Sequence, residues 1–227
     1  MKKMKIIIYI AISFFFVFSL TVIRNKKMIE LDSEQVIVSI PDEKIFLYYD
    51  DCLGETLYQG VYLKSASSVC FFDWEFSADM YHIPELTLLD NKRHLLIEFV
   101  KEDDGLYIAE AHMIDLCTMK EIFIQSPSEI LDKNINIHSI NYETGEVRFT
   151  YLNKEVFEYI DPQYLNYEIF SSISYDTFCL LEVINDTLIY TTYLQVSPSY
   201  SMGAIKISYI FKDHQYQMDS LDYISFS

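Results

Sequence analysis

The sequence predicts a mainly β domain that follows one N-terminal transmembrane helix. Three observations support this fold class: an uncharged run from Ile6 to Ile23, alternating apolar and polar residues through much of the remaining chain, and 51% hydrophobic and 16% aromatic residues with only five Gly and five Pro. Such a composition builds a folded core and contains no flexible linker. We therefore divide the chain into residues 1–27, a membrane anchor or signal segment, and residues 28–227, one β-rich extracytoplasmic domain.

The N-terminal segment has the length and the flanks of a membrane helix. Its 18 uncharged residues would span about 27 Å as a helix, close to the roughly 30 Å of a bilayer's hydrocarbon core. A cleaved signal peptide has a shorter apolar run and a small-x-small cleavage site. Ser19 and Thr21 substitute poorly for that site, so an uncleaved anchor is favoured and a cleaved signal is the alternative. The flanking basic residues are Lys2, Lys3, Lys5, Arg24, Lys26 and Lys27.

The rest of the chain is strongly acidic. Six of the 17 basic residues and none of the 34 acidic residues lie in the first 27 positions, so residues 28–227 carry a net charge of −23. Nucleic-acid binding requires a basic patch, and this charge argues against it. The simplest interpretation is a soluble, self-repelling surface. Because the short three-lysine start favours a cytoplasmic N-terminus, we expect a bacterial inner or cytoplasmic membrane with the main domain extracytoplasmic.

Four cysteines follow the apolar run, and an even number in an oxidising compartment is compatible with one or two disulfides. Their spacings of 18, 47 and 62 residues do not match a metal site. Four cysteines allow three pairings, among which the sequence does not choose. The alternative is that several are buried small hydrophobic residues. The disulfide candidates are Cys52, Cys70, Cys117 and Cys179.

The β signals begin at residue 35. Runs rich in Val, Ile, Tyr and Phe are separated by turn residues such as those at 50–54. Period-2 patterning puts Leu95, Ile97 and Phe99 on one face of a strand, and Trp74, the only tryptophan, is expected in the core. The strands predicted in this half of the domain are residues 35–40, 44–49, 57–63, 68–76, 93–101, 106–116 and 121–125.

The clearest hairpin signal lies between residues 134 and 153, with a turn at Thr144-Gly145. Its predicted buried face comprises Ile135, Ile137, Ser139, Val147, Phe149 and Tyr151. Further strands are predicted at residues 177–184, 188–196 and 203–212, with a polar loop at 197–202. The acidic tail from Asp213 either frays or adds a last strand at residues 223–226.

One segment breaks this pattern and predicts a short helix at residues 161–170. Asp161 is a good N-cap, Pro162 suits the first helical position, and Leu165 and Ile169 lie four residues apart on one face. The complete domain is therefore an antiparallel meander of about ten or more strands with one helix. A meander of this size manages its edges by closing as a barrel or by stacking as a sandwich.

No sequence motif indicates catalysis. The five histidines are scattered, and the chain contains neither a serine-hydrolase motif nor a phosphate-binding glycine motif. The acid pairs Asp50-Asp51 and Asp103-Asp104 could serve a carboxylate-based hydrolase, but adjacent acids in turns are more often solvated. We predict no enzymatic activity, no metal and no cofactor. A barrel interior rich in Tyr, Phe and Ile could enclose a small apolar ligand, and a filled core is the alternative.

The C-terminal part of the chain resembles a group of periplasmic proteins. Asp161-Pro162-Gln163-x-Leu165, the run from Glu182 to Thr192 and a final strand that starts at Gly203 resemble in order the end of the ToxS family. With its single membrane helix, the whole plan is similar to that of the ToxS, VtrC and FidL-like partners of membrane-anchored, winged-helix transcription regulators. The resemblance covers about a quarter of the chain, which is longer, more acidic and richer in cysteine than the family.

The resemblance implies a sensor subunit whose β domain binds and stabilises the periplasmic domain of a partner. The sequence-based hypothesis is therefore a membrane-anchored extracytoplasmic β domain that acts by binding a protein partner in the same membrane, with a small apolar ligand as a further option. The alternatives are an exported structural or surface β-sandwich protein without enzymatic activity, and a carboxylate-based hydrolase.

Overall fold

The computed structural model describes residues 35–53, 57–77, 83–103, 106–141, 143–161, 174–175, 180–197 and 200–226. The described residues from Val36 onward belong to one compact unit, which is mainly β with one short α-helix among them. In these ranges thirteen strands form one large sheet, eight strands of which are nearly closed into a barrel-like arrangement, and three strands form a small separate sheet. The predicted mainly β class is confirmed, and of the two predicted alternatives, barrel and sandwich, the large sheet has the barrel-like arrangement.

The first half of the large sheet is an antiparallel meander. Its strands are β1 (Val36–Ile40), β2 (Ile45–Leu53), β3 (Leu57–Ser65), β4 (Ser68–Ser77), β5 (Glu85–Leu89), β6 (His94–Asp103), β7 (Leu106–Asp115) and β8 (Lys120–Ile124). A 3₁₀ turn at Pro41–Glu43 joins the first two strands. The short β5 pairs with β6, and β4 reaches β6 where Ser77 lies opposite Val100. These two strands therefore share one edge of β6.

The helix and the small sheet separate this meander from a second one. Helix α1 (Pro127–Asn134) leads into the small sheet, in which β10 (Glu146–Tyr151) lies between β9 (Ile135–Ile140) and β11 (Lys154–Tyr159). The second meander consists of β12 (Ser174–Tyr175), β13 (Leu180–Ile184), β14 (Thr187–Ser197), β15 (Tyr200–Lys212) and β16 (Gln215–Ser225). The short parallel ladder between β16 and β8 joins the two meanders into one sheet.

Strand β6 is buried on both faces because each face packs against a different core. Leu95, Ile97 and Phe99 face the first core, which β2, β3 and β4 complete. Leu96 faces the second core, which the second meander, α1 and the small sheet share. The face predicted for the first three residues is confirmed. Burial of the opposite face explains why this strand carries apolar residues at Leu95, Leu96 and Ile97 in succession.

Three hairpins turn through two residues that both have positive φ: Leu152-Asn153, Asn185-Asp186 and Asp213-His214. In each hairpin the residues on either side of the turn pair directly. Positive φ at both central positions characterises a type I′ turn, whose twist matches that of the strands. Asn and Asp adopt this conformation more readily than most other residues with a side chain. The chain therefore makes tight hairpins with few glycines.

Two predicted loops are strand instead. Strand β2 continues through residues 50–53 because Asp51 and Cys52 pair with β3, so the predicted turn is wrong there. The polar loop predicted at 197–202 is wrong at both ends, since β14 includes Ser197 and β15 begins at Tyr200. The tail forms β16, a strand much longer than the alternative at residues 223–226. In all these places hydrogen bonds to a neighbouring strand outweigh the polar local sequence.

Helix α1 and strands β5, β11 and β12 were not predicted. The helix begins at Pro127 after Ser126 and buries Ile130 and Leu131. Proline at the first position is the same signal that predicts a helix after Asp161. Apart from Asp161, that predicted helix lies outside the described residues. One short helix was predicted in the domain and one is described, but the described helix is Pro127–Asn134 and not the segment at residues 161–170.

A bulge in the small sheet changes the face of Ser139. Arg148 pairs with Ser139 and Phe149 pairs with Ile137, so His138 is the extra residue on β9. A bulge of one residue reverses the side to which subsequent side chains point. The predicted buried position of Ser139 is therefore wrong. The inward positions of Val147 and Phe149, which are fully buried, are confirmed.

The predicted membrane segment from Ile6 to Ile23 lies outside the described residues and stays a prediction, as does the boundary between residues 27 and 28. Within the described ranges, no helix is long and apolar enough to cross a membrane.

Candidate functional site

A shallow groove lies along the hairpin of β10 and β11, on the outer face of the small sheet. Its volume is about 440 Å³. The strand register places Glu146 opposite Tyr159 and Arg148 opposite Phe157, so two pairs of one charged and one aromatic residue form much of its surface. The lining residues are Thr144, Glu146, Arg148, Phe157, Glu158 and Tyr159.

Two aromatic side chains stand exposed side by side on β11. Phe157 is 55% exposed and Tyr159 is 57% exposed, whereas Val156 packs against the second core. In the part of the chain that the structure describes, one edge of β11 pairs with β10, and the other edge of β11 carries no strand. Exposed aromatic residues with a charged rim, beside an open strand edge, are typical of a contact surface.

Arg148 occupies a fixed position in the groove. Its guanidinium carbon lies 5.2 Å from the ring centroid of Phe157, and its Nε lies 2.5 Å from Oε1 of Glu146. A guanidinium within about 6 Å of an aromatic centroid is attracted by the negative face of the ring. The face of Phe157 therefore already accepts a cation, and the charge of Arg148 is balanced by Glu146.

Glu158 is a buried carboxylate on the inner face of the small sheet, opposite Val147 and between Phe157 and Tyr159 along β11. It is 8% exposed, and its Oε1 accepts a hydrogen bond of 2.8 Å from the hydroxyl of Tyr223. Its Oε2 accepts one of 3.0 Å from Oγ of Ser225. Burial, followed by the bond to Glu158, raises the pKa of Tyr223 far above its ordinary value, so this hydroxyl is a donor at all physiological pH values. Strand β16 thus determines where the carboxylate lies.

Further contacts hold the small sheet against β16. The hydroxyl of Tyr151 donates to the carbonyl oxygen of Leu221. The ring of Tyr223 lies over Gly203 on β15, where a Cβ atom would come within 2.5 Å of its Cε2. Only a glycine leaves room for this ring. These contacts attach the small sheet to β15 and β16, which are distant from it in sequence.

A second polar cluster lies where β5, β6 and β13 meet. Glu98 is directly opposite Glu85 in the β5–β6 ladder. The pKa of Glu98 is raised to about 7, first by burial and then by the charges of Glu85 and Glu182, while a hydrogen bond from the backbone of Leu181 acts in the opposite direction. A carboxyl group with a raised pKa beside another carboxylate has the protonation state that a general acid needs.

The acid pairs singled out from the sequence are not part of this cluster. Asp50 and Asp51 are exposed on β2, and Asp103 ends β6, while Asp104 lies outside the described residues. Glu98 was not predicted as a site residue because its environment is formed by three separate strands, β5, β6 and β13. Its position amid the apolar run of β6 was the available signal.

His94 is buried at the junction of the two meanders. It is 0% exposed, and its Nδ1 lies 2.8 Å from the hydroxyl of Tyr216 on β16. Within the described part of the chain, its Nε2 has no hydrogen-bond partner. Burial lowers the pKa of His94, although the charges of Asp90 and Asp115 oppose this effect. The ring of His94 is therefore neutral near pH 7, and its Nδ1 forms the contact with Tyr216 that links the two meanders.

His112 lies at the rim of the first core. Its ring stacks on Trp74 with 3.9 Å between centroids, and its Nδ1 lies 2.7 Å from Oε1 of Glu121. Its Nε2 lies 3.4 Å from Oε1 of Glu110. Trp74 is partly buried and packs against the first core, which confirms its predicted role. The cluster contains two carboxylates and one histidine, but in the described ranges no group of three or more ligating side chains is arranged to hold a metal.

The cysteines predicted as disulfide candidates lie in separate places. Among the described residues neither Cys70 nor Cys117 forms a disulfide, and Cys179 lies outside the described residues. Cys52 is opposite Tyr58 on β3 and Cys70 is opposite Leu63, five positions further along that strand. Five positions correspond to about 16 Å, which a disulfide does not bridge. The structure therefore does not bring Cys52 and Cys70 together, and pairings with Cys179 stay predictions.

The groove was not predicted from the sequence because β11 was not predicted. The segment from Lys154 to Tyr159 alternates charged and apolar residues, which was the available signal. The groove lies on the outside of the small sheet, so the predicted apolar ligand inside the barrel stays a prediction.

No protein-family model matches this sequence, and no curated protein or solved structure matches it. The resemblance to the ToxS, VtrC and FidL-like group also stays a prediction.

Proposed function

We propose that this protein is a membrane-anchored extracytoplasmic β domain that binds a protein partner in the same membrane, and that the groove on β10 and β11 is the docking site. The observation that carries the proposal is the exposure of Phe157 and Tyr159, each more than half accessible on neighbouring outward positions of one strand. Partner burial of such rings contributes a large share of the binding energy in protein interfaces.

The groove is well suited to binding because its aromatic side chains are carried by a paired strand. All six residues of β11, including Phe157 and Tyr159, pair with β10, and an aromatic side chain has only two rotatable side-chain bonds. Little conformational entropy is therefore lost when a partner covers these rings. The outer edge of β11, which carries no strand among the described residues, would additionally offer backbone groups to an extended segment of the partner.

A membrane tether supports the same function. If residues 6–23 hold the domain at the membrane, a partner in that membrane meets it at a raised effective concentration, and a contact of modest area suffices. The strong negative charge of the domain keeps it soluble and selects against acidic partners. The resemblance to periplasmic partners of membrane-anchored regulators agrees with this proposal.

Site-specific photo-crosslinking in the native membrane tests the proposal. A photoreactive amino acid is placed at position 157 and, as a matched control, at position 123, where Phe123 is 60% exposed on β8. We expect position 157 to crosslink to one integral membrane protein that resists extraction with carbonate, and position 123 not to do so. Equal yields from both positions, a product that consists only of two copies of this chain, or no product would contradict the proposal.

A second candidate function is hydrolysis by paired carboxylates, and the raised pKa of Glu98 beside Glu85 favours it. An enzyme of this class would lose its activity on chromogenic glycosides when Glu98 is replaced by Gln and keep it when the exposed Asp73 is replaced by Asn. Absence of any turnover by the native protein across such a panel would remove this candidate.

A further inference from the structure

We propose that the protein partner adds an extended segment along the outer edge of β11, so that the small sheet gains a further strand. On the outer face of the sheet, the residues of this segment would be aromatic or β-branched and would lie beside Phe157 and Tyr159. This inference rests on the proposed function, and it names the conformation and the side-chain chemistry of the part of the partner that docks. Among the described residues, that edge of β11 carries no strand.

The strand register shows which backbone groups of β11 face this edge. The N–H of Ile160 donates to the carbonyl oxygen of Gly145, so these two residues form a hydrogen-bonded pair at the end of the β10–β11 ladder. Hydrogen-bonded and non-hydrogen-bonded pairs alternate along an antiparallel ladder. The pairs that contain Glu155, Phe157 and Tyr159 are therefore of the second kind, and the N–H and C=O groups of these three residues point away from β10.

The outward backbone groups and the exposed rings belong to the same residues. Phe157 and Tyr159 are each more than half exposed, and each also presents an N–H and a C=O at the edge. An added strand would gain ladder hydrogen bonds and cross-strand contacts with aromatic side chains at the same positions. A helix could not continue this ladder, because its own backbone groups are already bonded within the helix. The row of outward backbone groups therefore selects an extended segment.

The edge of β11 lacks the features by which sheets commonly discourage strand addition. Those features include proline, lysine residues along the edge and β-bulges. All six residues of β11 pair with β10 in unbroken register, and the strand contains no proline and carries its one lysine, Lys154, at the first position. The opposite outer strand of the same sheet, β9, is interrupted by the bulge at His138. Of these two strands, β11 is therefore the one whose shape favours strand addition.

The charge of the chain restricts the sequence of the docked segment. Glu155 is exposed, and its backbone groups face the same edge. A carboxylate directly opposite it on an added strand would be destabilising. The chain also contains 34 acidic against 17 basic residues, so an acidic segment is repelled before it makes contact. We therefore expect a segment with few acidic residues.

Photo-crosslinking from several positions of β11 in native membranes tests the conformation of the docked segment. The photoreactive amino acid is placed in turn at positions 155, 157 and 159, and mass spectrometry identifies the partner residue bonded to each. An added strand has the same rise as β11, so the crosslinked partner residue should shift by about two positions from each site to the next. A docked helix, which rises only about 1.5 Å per residue, would give shifts of about four or five positions. Shifts of the helical kind, or crosslinks scattered over several partner segments, would overturn the inference.

Two variants at one position test the backbone groups themselves. Glu155→Pro removes an outward N–H, and because that group faces away from β10, the β10–β11 ladder keeps its hydrogen bonds. Glu155→Ala removes the same side chain and keeps the N–H. We expect the crosslink from position 157 to be about tenfold weaker in Glu155→Pro than in Glu155→Ala, because the proline removes one hydrogen bond and its ring obstructs a neighbouring strand. Equal yields from the two variants would overturn the inference.

The remaining outcomes separate this inference from the proposed function. Thermal melting curves establish whether both variants fold, and if Glu155→Pro does not, the shifts between crosslinked residues decide alone. One membrane-protein crosslink with helical shifts, or with equal yields from the two variants, would overturn the inference and leave the proposed function standing. No crosslink in the native protein, or regular shifts along a second copy of this chain, would overturn both.

Discussion

Glu98 lies directly opposite Glu85 across the β5–β6 ladder, so two carboxyl groups occupy neighbouring positions on one face of the sheet. Like charges at directly opposite positions destabilise a pair of strands. The arrangement is tolerable because burial raises the pKa of Glu98 to about 7, with the charges of Glu85 and Glu182 acting in the same direction. Glu98 is therefore largely protonated in mildly acidic conditions.

The first prediction concerns the pH dependence of stability. The pKa of Glu98 is higher in the folded chain, about 7, than its ordinary value of 4.5. The folded state thus binds the extra proton, and the stabilising contribution is fully present below pH 4.5 and is lost as the pH rises through 7. Glu98→Gln should raise the free energy of unfolding at pH 8 by about 1–2 kcal/mol, after allowance for partial screening by solvent, and change it little at pH 4.5.

Urea denaturation of the native chain, Glu98→Gln and the exposed-site control Asp73→Asn at pH 4.5, 6 and 8 measures this effect. A difference between native and Glu98→Gln that is the same at all three values would contradict the assignment.

The second prediction concerns His94, whose titration has the opposite sign. Burial lowers its pKa below 6.5 in the folded state, so the unfolded state binds the proton more readily. His94 therefore destabilises the protein progressively as the pH falls below 6.5. His94→Leu should lower the free energy of unfolding at pH 7.5 by about 1–3 kcal/mol because the hydroxyl of Tyr216 loses its partner, and it should cost less at pH 5.

Thermal melting at the two pH values separates these contributions, with His138→Leu as a control for the loss of an exposed histidine. The assignment fails if His94→Leu and the native chain lose stability in parallel between pH 7.5 and pH 5.

The third prediction concerns the bond between Tyr223 and Glu158. Tyr223→Phe keeps the ring over Gly203 and removes the hydroxyl, so one buried carboxylate oxygen loses a donor. We expect a loss of about 1–3 kcal/mol in unfolding free energy. A double-mutant cycle with Glu158→Gln should give a coupling energy of about 0.5–3 kcal/mol, because the two residues share one contact. Additive effects of the two substitutions would indicate that the bond contributes nothing.

The fourth prediction concerns Gly203. Gly203→Ala would place a Cβ atom 2.5 Å from Cε2 of Tyr223 and 2.7 Å from the carbonyl oxygen of Ile224. The resulting displacement of β16 should destabilise the protein by about 1–3 kcal/mol. Ser208→Ala on the same strand is the control, and it should leave the free energy of unfolding unchanged. A Gly203→Ala variant with the native melting temperature would show that the ring of Tyr223 moves aside without consequence.

The fifth prediction concerns the tether. We expect the mature protein to retain residues 1–27 and to stay in the membrane fraction after carbonate washing. Intact-mass spectrometry of the purified protein gives the answer directly. A mass that corresponds to loss of the apolar run would leave the domain untethered and remove the main support for a partner in the same membrane.

The β class of the fold could be predicted from local patterns, and the candidate site could not. Residues such as Leu95, Ile97 and Phe99 show their shared face through period-2 spacing alone. Ser139 was placed on the wrong face because a bulge at His138 has no signature in composition. Strand β11 was missed although it carries Phe157 and Tyr159, since exposed apolar residues beside charged ones look the same in a loop.

The sequence by itself determined the strongly negative charge of residues 28–227, the apolar N-terminal run and the mainly β content, because each of these depends on residue type and short-range spacing. Tertiary structure decided which side chains meet. Glu158 receives hydrogen bonds from residues more than 60 positions away, and Glu98 is next to carboxylates from two other strands. Burial and electrostatic environment arise only when distant strands pack together, and these quantities define the groove and the pH response.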